Sequence, residues 1–376
     1  MMRRQASMAL LLATRAIYSM QWYVLGPATE AMLSALRASG ALSGLLPLSF
    51  IAGASATQLL APPVASRAGA RRTYAVGLLL LSVADLLIPF SGSLAEVVVL
   101  RSLAGLGAGL FFSPAAYMLL VIGEAGSATS LMSLYEVMFN VGGVLAIAWG
   151  LVDGLLGWRY GTALAGLAGL AAALLNMAVI DVESKPPPFT GSLRRGGLRL
   201  ASVSLAGAGL FGASYLVGAL APYIAERLFG VSPYGAGALT LVYFVGNLVG
   251  AAAAYRAGAP SPRKVVLAFL AASASMTFVA LPTYAAFLVG EFLNGLATAA
   301  AFTIYYSFAV EAFSREHSTS SLALVNFVNM VGSLAIYPVG GYLAYAASRY
   351  ALAAALAAYS AAFTAALAAA RPQTPT

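Results

Sequence analysis

Long apolar runs separated by short polar breaks make up nearly the whole chain. At 1.5 Å per residue, about twenty apolar residues cross the hydrocarbon core of a bilayer. Taking breaks at charges and at Pro and Gly clusters, the pattern predicts twelve helices, near 7–36, 40–64, 73–91, 95–122, 128–153, 159–181, 199–228, 233–256, 264–282, 284–312, 318–347 and 349–370. The runs are continuous rather than ten-residue alternations, which fits helices and excludes a membrane β-barrel. Only residues 182–198 read as a linker, because three consecutive prolines, Pro186 to Pro188, and the pair Arg194-Arg195 cannot sit in lipid. The expected organisation is an N-terminal six-helix bundle over 1–181, this linker, and a C-terminal six-helix bundle over 199–376.

Composition sharpens the class. Hydrophobic residues make up 61% of the 376 and charged residues 9%, against about a quarter charged in soluble domains. With a mean hydropathy of +0.88, lipid is the expected solvent. The chain has no cysteine, which excludes disulfides, thiolate catalysis and cysteine metal sites. A single histidine, His317, excludes an imidazole cluster and reads as a solvated loop residue beside Arg315 and Glu316. No metal or other cofactor is implied, and no enzyme chemistry.

The net charge of +8 does not point to nucleic acid, because the basic residues fall in short blocks between apolar runs. It reads as a topology signal. With the N-terminus inside, fourteen Lys and Arg lie on the cytoplasmic side, among them Arg3, Arg4, Arg71, Arg72, Arg194, Arg195, Arg256, Arg263, Lys264, Arg315 and Arg371. Four lie outside: Arg37, Arg159, Arg227 and Arg349. Both termini are thus expected in the cytoplasm of a prokaryotic cell, with the protein in its inner membrane. The opening Met1-Met2-Arg3-Arg4 reads as the start of the first helix rather than a cleaved leader, since Arg15 interrupts the run and apolar character continues to about Leu36.

The two halves also align. Arg101-Ser-Leu-Ala-Gly105-Leu falls on Glu291-Phe-Leu-Asn-Gly295-Leu at an offset of 190, which also carries Ser130 onto Ser320, Glu136 onto Asn326 and Gly142 onto Gly332. At an offset of 195, Pro27 falls on Pro222 and Gly40 on Gly235. The order of these matches implies a six-plus-six duplication, an arrangement of transporters with a site at the bilayer midplane.

With these features the chain resembles the major facilitator superfamily along its whole length. The segment Val64-Ala65-Ser66-Arg67-Ala68-Gly69-Ala70-Arg71-Arg72 is similar to that family's helix 2–3 loop, which the resemblance makes a gating loop of Arg67, Gly69, Arg71 and Arg72. Arg101-Ser-Leu-Ala-Gly105-Leu-Gly107-Ala-Gly109 is similar to its helix 4 stretch, and Gly157-Trp158-Arg159 to its exit from helix 5. Ser66 stands where the family's loop carries Asp and Pro62 where it often has Gly. Helix 5 has Gly142-Gly143 without the Gly-Pro step of proton-coupled drug antiporters. The resemblance implies a monomeric secondary transporter working by alternating access.

A charge in the bilayer core costs about 2.5–3.5 kcal/mol or more, so it faces a cavity or a partner. Six acids and arginines qualify: Arg15, Asp85, Arg101, Glu136, Glu291 and, near an outer helix end, Glu30. Arg15 and Glu136 are expected at similar depth on neighbouring helices and so to pair, with Glu136 exchanging a proton while Arg15 meets an anionic group. Arg101 lies at about the depth of Asp85 and Glu30. Glu291, an acid with no basic residue in its half's membrane segments, is a proton-site candidate, as are Asp85 and Glu30. Polar and aromatic residues at helical spacing complete the expected cavity: Tyr18 and Trp22 beside Arg15, Asn140 one turn past Glu136, and Tyr215, Tyr243, Asn247, Asn294, Tyr305, Asn326 and Asn329 in the second half. The expected substrate is a small organic anion or metabolite, moved with protons. Multidrug efflux is the alternative, and a channel or non-transporting receptor the alternative of another class.

Overall fold

In the computed structural model, residues 2–123, 128–188, 197–232, 236–254, 260–311 and 317–369 are described, and they contain helices and no strand. Arg194, Arg195, Gly235, Arg256, Arg315, Glu316 and Arg371 lie outside these described residues, as does most of the expected linker. The first half comprises α1 (Met2–Tyr23), α2 (Thr29–Ala35), α3 (Leu45–Gln58), α4 (Ala61–Ala68), α5 (Ala70–Leu87), α6 (Leu94–Ile122), α7 (Ala128–Ala148), α8 (Gly150–Leu156) and α9 (Trp158–Val179). The second comprises α10 (Gly197–Phe229), α11 (Val242–Ala254), α12 (Pro262–Ser275), α13 (Tyr284–Glu311), α14 (Ser318–Ser333), α15 (Ile336–Tyr345) and α16 (Arg349–Ala369). Among the described residues eight stretches are long and apolar enough to cross a membrane, and a ninth counts if α14 and α15, bent by 46° at their break, form one span. α1 with α2, α11 with the turn before it, and α16 supply helices at the remaining three expected places.

Several expected helices are broken rather than continuous, and proline explains most of the breaks. The run expected at 7–36 begins at Met2 and is interrupted between Tyr23 and Thr29. Pro27 has no N–H to continue the ladder. Pro62 and Pro63 open α4, where a missing N–H costs nothing, and Pro338 lies in the first turn of α15. Pro114 and Pro222, by contrast, sit inside unbroken α6 and α10. The linker expected at 182–198 is shorter at its far end, because α10 already starts at Gly197.

The duplication is visible in the packing. α1 packs on α7 as α10 packs on α14, and α3 on α6 as α11 on α13. Glycines make the close approaches. A Cβ on Gly105 would overlap the Phe50 carbonyl, and one on its repeat partner Gly295 would overlap that of Tyr243. Gly53 meets the Ser102 carbonyl as Gly246 meets that of Phe292. Without a hydrophobic drive between helices in lipid, such backbone proximity is what holds them together.

The halves meet along two seams, α7 with α11 and α14 with α3, α4 and α6. On the side away from the linker, the Tyr223 hydroxyl donates to the Gly40 carbonyl at 3.1 Å and Gly44 abuts the Tyr337 backbone. Near the linker side, the Ser133 hydroxyl donates to the Ala251 carbonyl at 2.8 Å. Inter-bundle contacts thus lie on both sides of the midplane.

Gly105→Val should lower thermal stability by several degrees, as an overpacked contact typically costs about 1–3 kcal/mol. Gly92→Val, where an added Cβ meets nothing within 4 Å, should leave the melting temperature of the purified protein unchanged.

Candidate functional site

Between the bundles lies a small cavity of about 70 Å³. Its first-half wall is Arg15, Trp22, Tyr23, Phe112, Glu136, Phe139 and Asn140. The second half contributes Phe211, Ser214, Tyr215, Tyr243, Asn247, Thr298, Ala299, Phe302, Tyr306 and Asn326. Aromatic rings dominate, and the polar groups are few.

Arg15 and Glu136 are the charges at this site. The Arg15 Nη2 lies 3.3 Å from Glu136 Oε1, and its Nε donates to the Tyr135 carbonyl at 3.5 Å. Four rings surround the guanidinium, with centroids at 3.9 Å (Tyr135), 4.5 Å (Phe139), 5.1 Å (Tyr18) and 5.2 Å (Phe112). Such faces attract a cation more strongly when it is desolvated, and Arg15 is only 2% exposed. Its Nη1 is buried and has no hydrogen-bond partner. The pair therefore leaves one strong donor of a cavity-lining residue unpaired. Asn140, one turn after Glu136, donates to the Glu136 carbonyl at 2.9 Å.

Arg101 does different work. Its Nη1 lies 3.2 Å from Asp85 Oδ1, and the same guanidinium donates to the carbonyls of Gln21 and Trp22 at 3.2 and 3.1 Å. These carbonyls end α1 just before the Pro27 break, where the helix cannot supply their usual donors. Arg101 therefore clasps the broken end of α1. From the other half, the Tyr215 hydroxyl donates to the same Trp22 carbonyl at 3.3 Å. Trp22 and Tyr215 also pack edge to face at 5.3 Å and border both the main cavity and a smaller recess that reaches Arg101.

The other expected site residues divide by a turn of helix. Arg15, Trp22, Glu136, Asn140, Tyr215, Tyr243, Asn247 and Asn326 come together at the cavity. Tyr18, Arg101, Asp85, Glu30, Asn294, Tyr305, Asn329 and Glu291 do not line it. The Tyr18 hydroxyl donates to the Ala108 carbonyl at 3.1 Å while its ring stacks on Phe111. The Tyr305 hydroxyl donates to the Ser204 carbonyl and to Asn329 Oδ1 at 3.1 and 3.3 Å. It is the next residue, Tyr306, that faces the cavity and donates to Asn326 Oδ1 at 2.9 Å. Glu30 sits apart on α2, near Tyr223 and Glu226 rather than Arg101. His317 is half-buried immediately before α14 and makes an interaction there, rather than standing solvated in a loop.

The helix 2–3 loop is tied down by a partner that its own sequence does not reveal. Ser66 bonds only locally, to the Pro63 carbonyl at 3.0 Å. Glu183, just beyond α9, accepts from the Arg71 backbone N–H at 2.9 Å and lies 3.4 Å from Arg71 Nε. Gly69, at φ 98°, lets this carboxylate approach, since a Cβ there would overlap it. Arg71 also donates to the Ile180 carbonyl, and the Ala70 N–H to that of Ser184 at 2.8 Å. Arg67 ends α4 and Arg72 lies in the first turn of α5.

Several residues escaped the sequence reading. Tyr23, Phe139, Phe302 and Tyr306 resemble any other aromatic in an apolar helix. Asp153, 2% exposed beside Gly161, was not singled out either.

The Major Facilitator Superfamily sequence profile matches residues 11–206 and 203–376. The chain belongs to this superfamily. No curated protein sequence matches it. Among solved structures, it is similar to the human organic anion transporter MFSD10 (TETRAN), with a TM-score of 0.76 and 14% identity over 97% of this chain and 99% of that one. It is similar, too, to a bacterial homologue of the human lysosomal transporter Spinster. The inward-facing, unoccupied form gives a TM-score of 0.71 at 15% identity, over 97% and 96% of the two chains. The occupied form gives 0.68 at 16% identity, over 97% and 95%. At such identities the likeness establishes the fold. As a member of this superfamily the chain is a multi-pass membrane transporter, and its cavity lies where the two halves of that fold meet.

Removing one partner of a buried ion pair costs about 3–5 kcal/mol, while replacing both with apolar groups is often neutral. Arg101→Met should therefore destabilise the protein strongly, and adding Asp85→Leu should restore part of the loss. Restoration will be incomplete, because the Gln21 and Trp22 carbonyls stay unclasped. Thermal unfolding of the two variants in detergent measures both steps.

Proposed function

We propose that this protein is a proton-coupled secondary transporter of small organic anions that works by alternating access, with Arg15 and Glu136 as the exchanging pair. One observation carries the reading: the cavity's ion pair presents an unpartnered guanidinium nitrogen, Arg15 Nη1, within a ring of aromatic faces. An incoming carboxylate or similar anion finds there a charge-assisted donor that need not first be freed from another bond. Once the anion holds Arg15, the site carries two negative charges, the anion and the Glu136 carboxylate, for one positive. A proton on Glu136 removes that repulsion. Anion binding and protonation therefore favour each other, and by linkage each tightens the other. The aromatic wall suits a substrate with an apolar or aromatic body, and the amides of Asn140, Asn247 and Asn326 suit polar substituents.

The inter-bundle contacts on both sides of the cavity favour a carrier over a pore. In this reading residues 1–181 and 199–376 are two bundles that rock about the site, opening one set of contacts while the other closes. The Lys and Arg distribution supports both termini in the cytoplasm, and in this reading the protein is a monomer in a prokaryotic inner membrane. The loop of Arg67, Gly69, Arg71 and Arg72 would set the closure of the linker side through the Arg71–Glu183 bond. Efflux of amphipathic cations is the second reading, favoured by the aromatic rings and by Glu136 as a cation partner.

Reconstituted into proteoliposomes, the Glu136→Gln variant should lose accumulation driven by a proton gradient while keeping substrate exchange at equal concentrations on both sides. Unchanged uphill accumulation removes Glu136 from coupling. Arg15→Ala should abolish both, and retention of exchange by that variant contradicts an anion site at Arg15.

A further inference from the structure

The cavity is charged on one side only. Arg15 and Glu136 both belong to the first half, and every lining residue that the second half contributes is neutral. That neutral wall is still polar in places. Asn247 on α11 and Thr298 on α13 line the cavity and are 4% and 3% exposed. Neither Asn247 Oδ1 nor Thr298 Oγ1 has a hydrogen-bond partner.

The hydroxyls beside them are already committed. The Tyr243 hydroxyl lies against both side chains, but a phenol has one proton to give, and it goes to the Ser214 carbonyl at 3.3 Å. The Ser214 hydroxyl in turn donates to the Leu210 carbonyl. Both protons are thus spent on backbone. Thr298 carries a proton of its own and can offer it to a neighbour, whereas an amide oxygen only accepts. Asn247 Oδ1 is therefore the acceptor left over, and a buried acceptor without a donor is costly. A substrate group carrying an O–H or N–H meets that need. An ammonium group does not suit this wall, because no carboxylate lines it and a buried charge needs a partner of opposite sign.

We propose that the substrate is an aromatic carboxylate with an uncharged hydrogen-bond donor, a hydroxyl or an amide N–H, away from its carboxylate, and that Asn247 selects for this donor with Thr298 beside it. The inference rests on the reading of Arg15 as the partner of the carboxylate. Arg15 and Asn247 belong to opposite bundles, so a substrate that engages both spans the interface between them. The rings of Trp22, Phe139, Phe302 and Tyr306 line the space for its apolar body. An acid that lacks the donor gains the Arg15 contact and leaves Asn247 Oδ1 unmet, which is how a site built for a hydrogen bond rejects the analogue without it.

The test is calorimetric binding of matched acids to the purified full chain at pH 5.5: benzoate, its 3- and 4-hydroxy derivatives, and the corresponding methoxy acids, which keep the oxygen and lose the proton. One of the hydroxy acids should bind about tenfold or more tightly than benzoate and than its own methoxy counterpart. Asn247→Leu should bring that ratio close to one. Thr298→Val should lower it severalfold, and it carries the test should Asn247→Leu fail to fold. Equal binding of all the acids, still lost in Arg15→Ala, overturns this inference and leaves the anion site standing. So does a hydroxyl preference that neither variant changes. Binding of none of the acids contradicts the anion site itself and the inference with it.

Discussion

Lipid offers a charged side chain no partner, so every charge inside this bundle must be met by the protein itself. The cavity owes its character to how Arg15 meets that demand. One carboxylate and four aromatic faces hold it, and one of its nitrogens is left free. The same bond ties α1 to α7, so the site is also part of the packing of the first bundle. A group that holds helices together and also faces the cavity is placed to sense occupancy, because any ligand that engages it alters the packing beneath.

The two halves answer the same constraint differently. In the first, Arg101 and Asp85 neutralise each other, and the guanidinium spends its remaining donors on the broken end of α1. The break itself follows from Pro27, and Tyr215 reaches across from the second half to the same Trp22 carbonyl. In the second half the equivalent position carries Glu291, a buried carboxyl with no hydrogen-bond partner. A duplicated scaffold has kept its glycine contacts, Gly105 with Phe50 and Gly295 with Tyr243, while its buried charges have diverged in sign. That asymmetry is where function is to be sought, since packing is conserved between the halves and chemistry is not.

Much of this was legible from the chain alone. Hydrophobic run length located the helices, and the match at an offset of 190 located the repeat, because both depend on local composition. The pairing of Arg15 with Glu136 followed from the cost of isolated charge and the expected adjacency of their helices. What escaped was rotational detail. Tyr305 and Tyr306 differ by one residue, or 100° of helix rotation, and only the latter faces the cavity. Tyr18 shares a helix face with Arg15 and Trp22, yet its hydroxyl finds a carbonyl of α6 instead. The loop tie through Glu183 was hidden for another reason: its partner Arg71 lies 112 residues away in sequence.

The central claim is that Arg15 receives an anion together with a proton. Its most direct test is the thermal stability of the purified protein against a panel of aromatic carboxylates and lipophilic cations at pH 5.5 and 7.5. The account predicts stabilisation by carboxylates, stronger at pH 5.5 and absent in Arg15→Ala. Stabilisation by lipophilic cations instead, stronger at pH 7.5 and lost in Glu136→Gln, would contradict it.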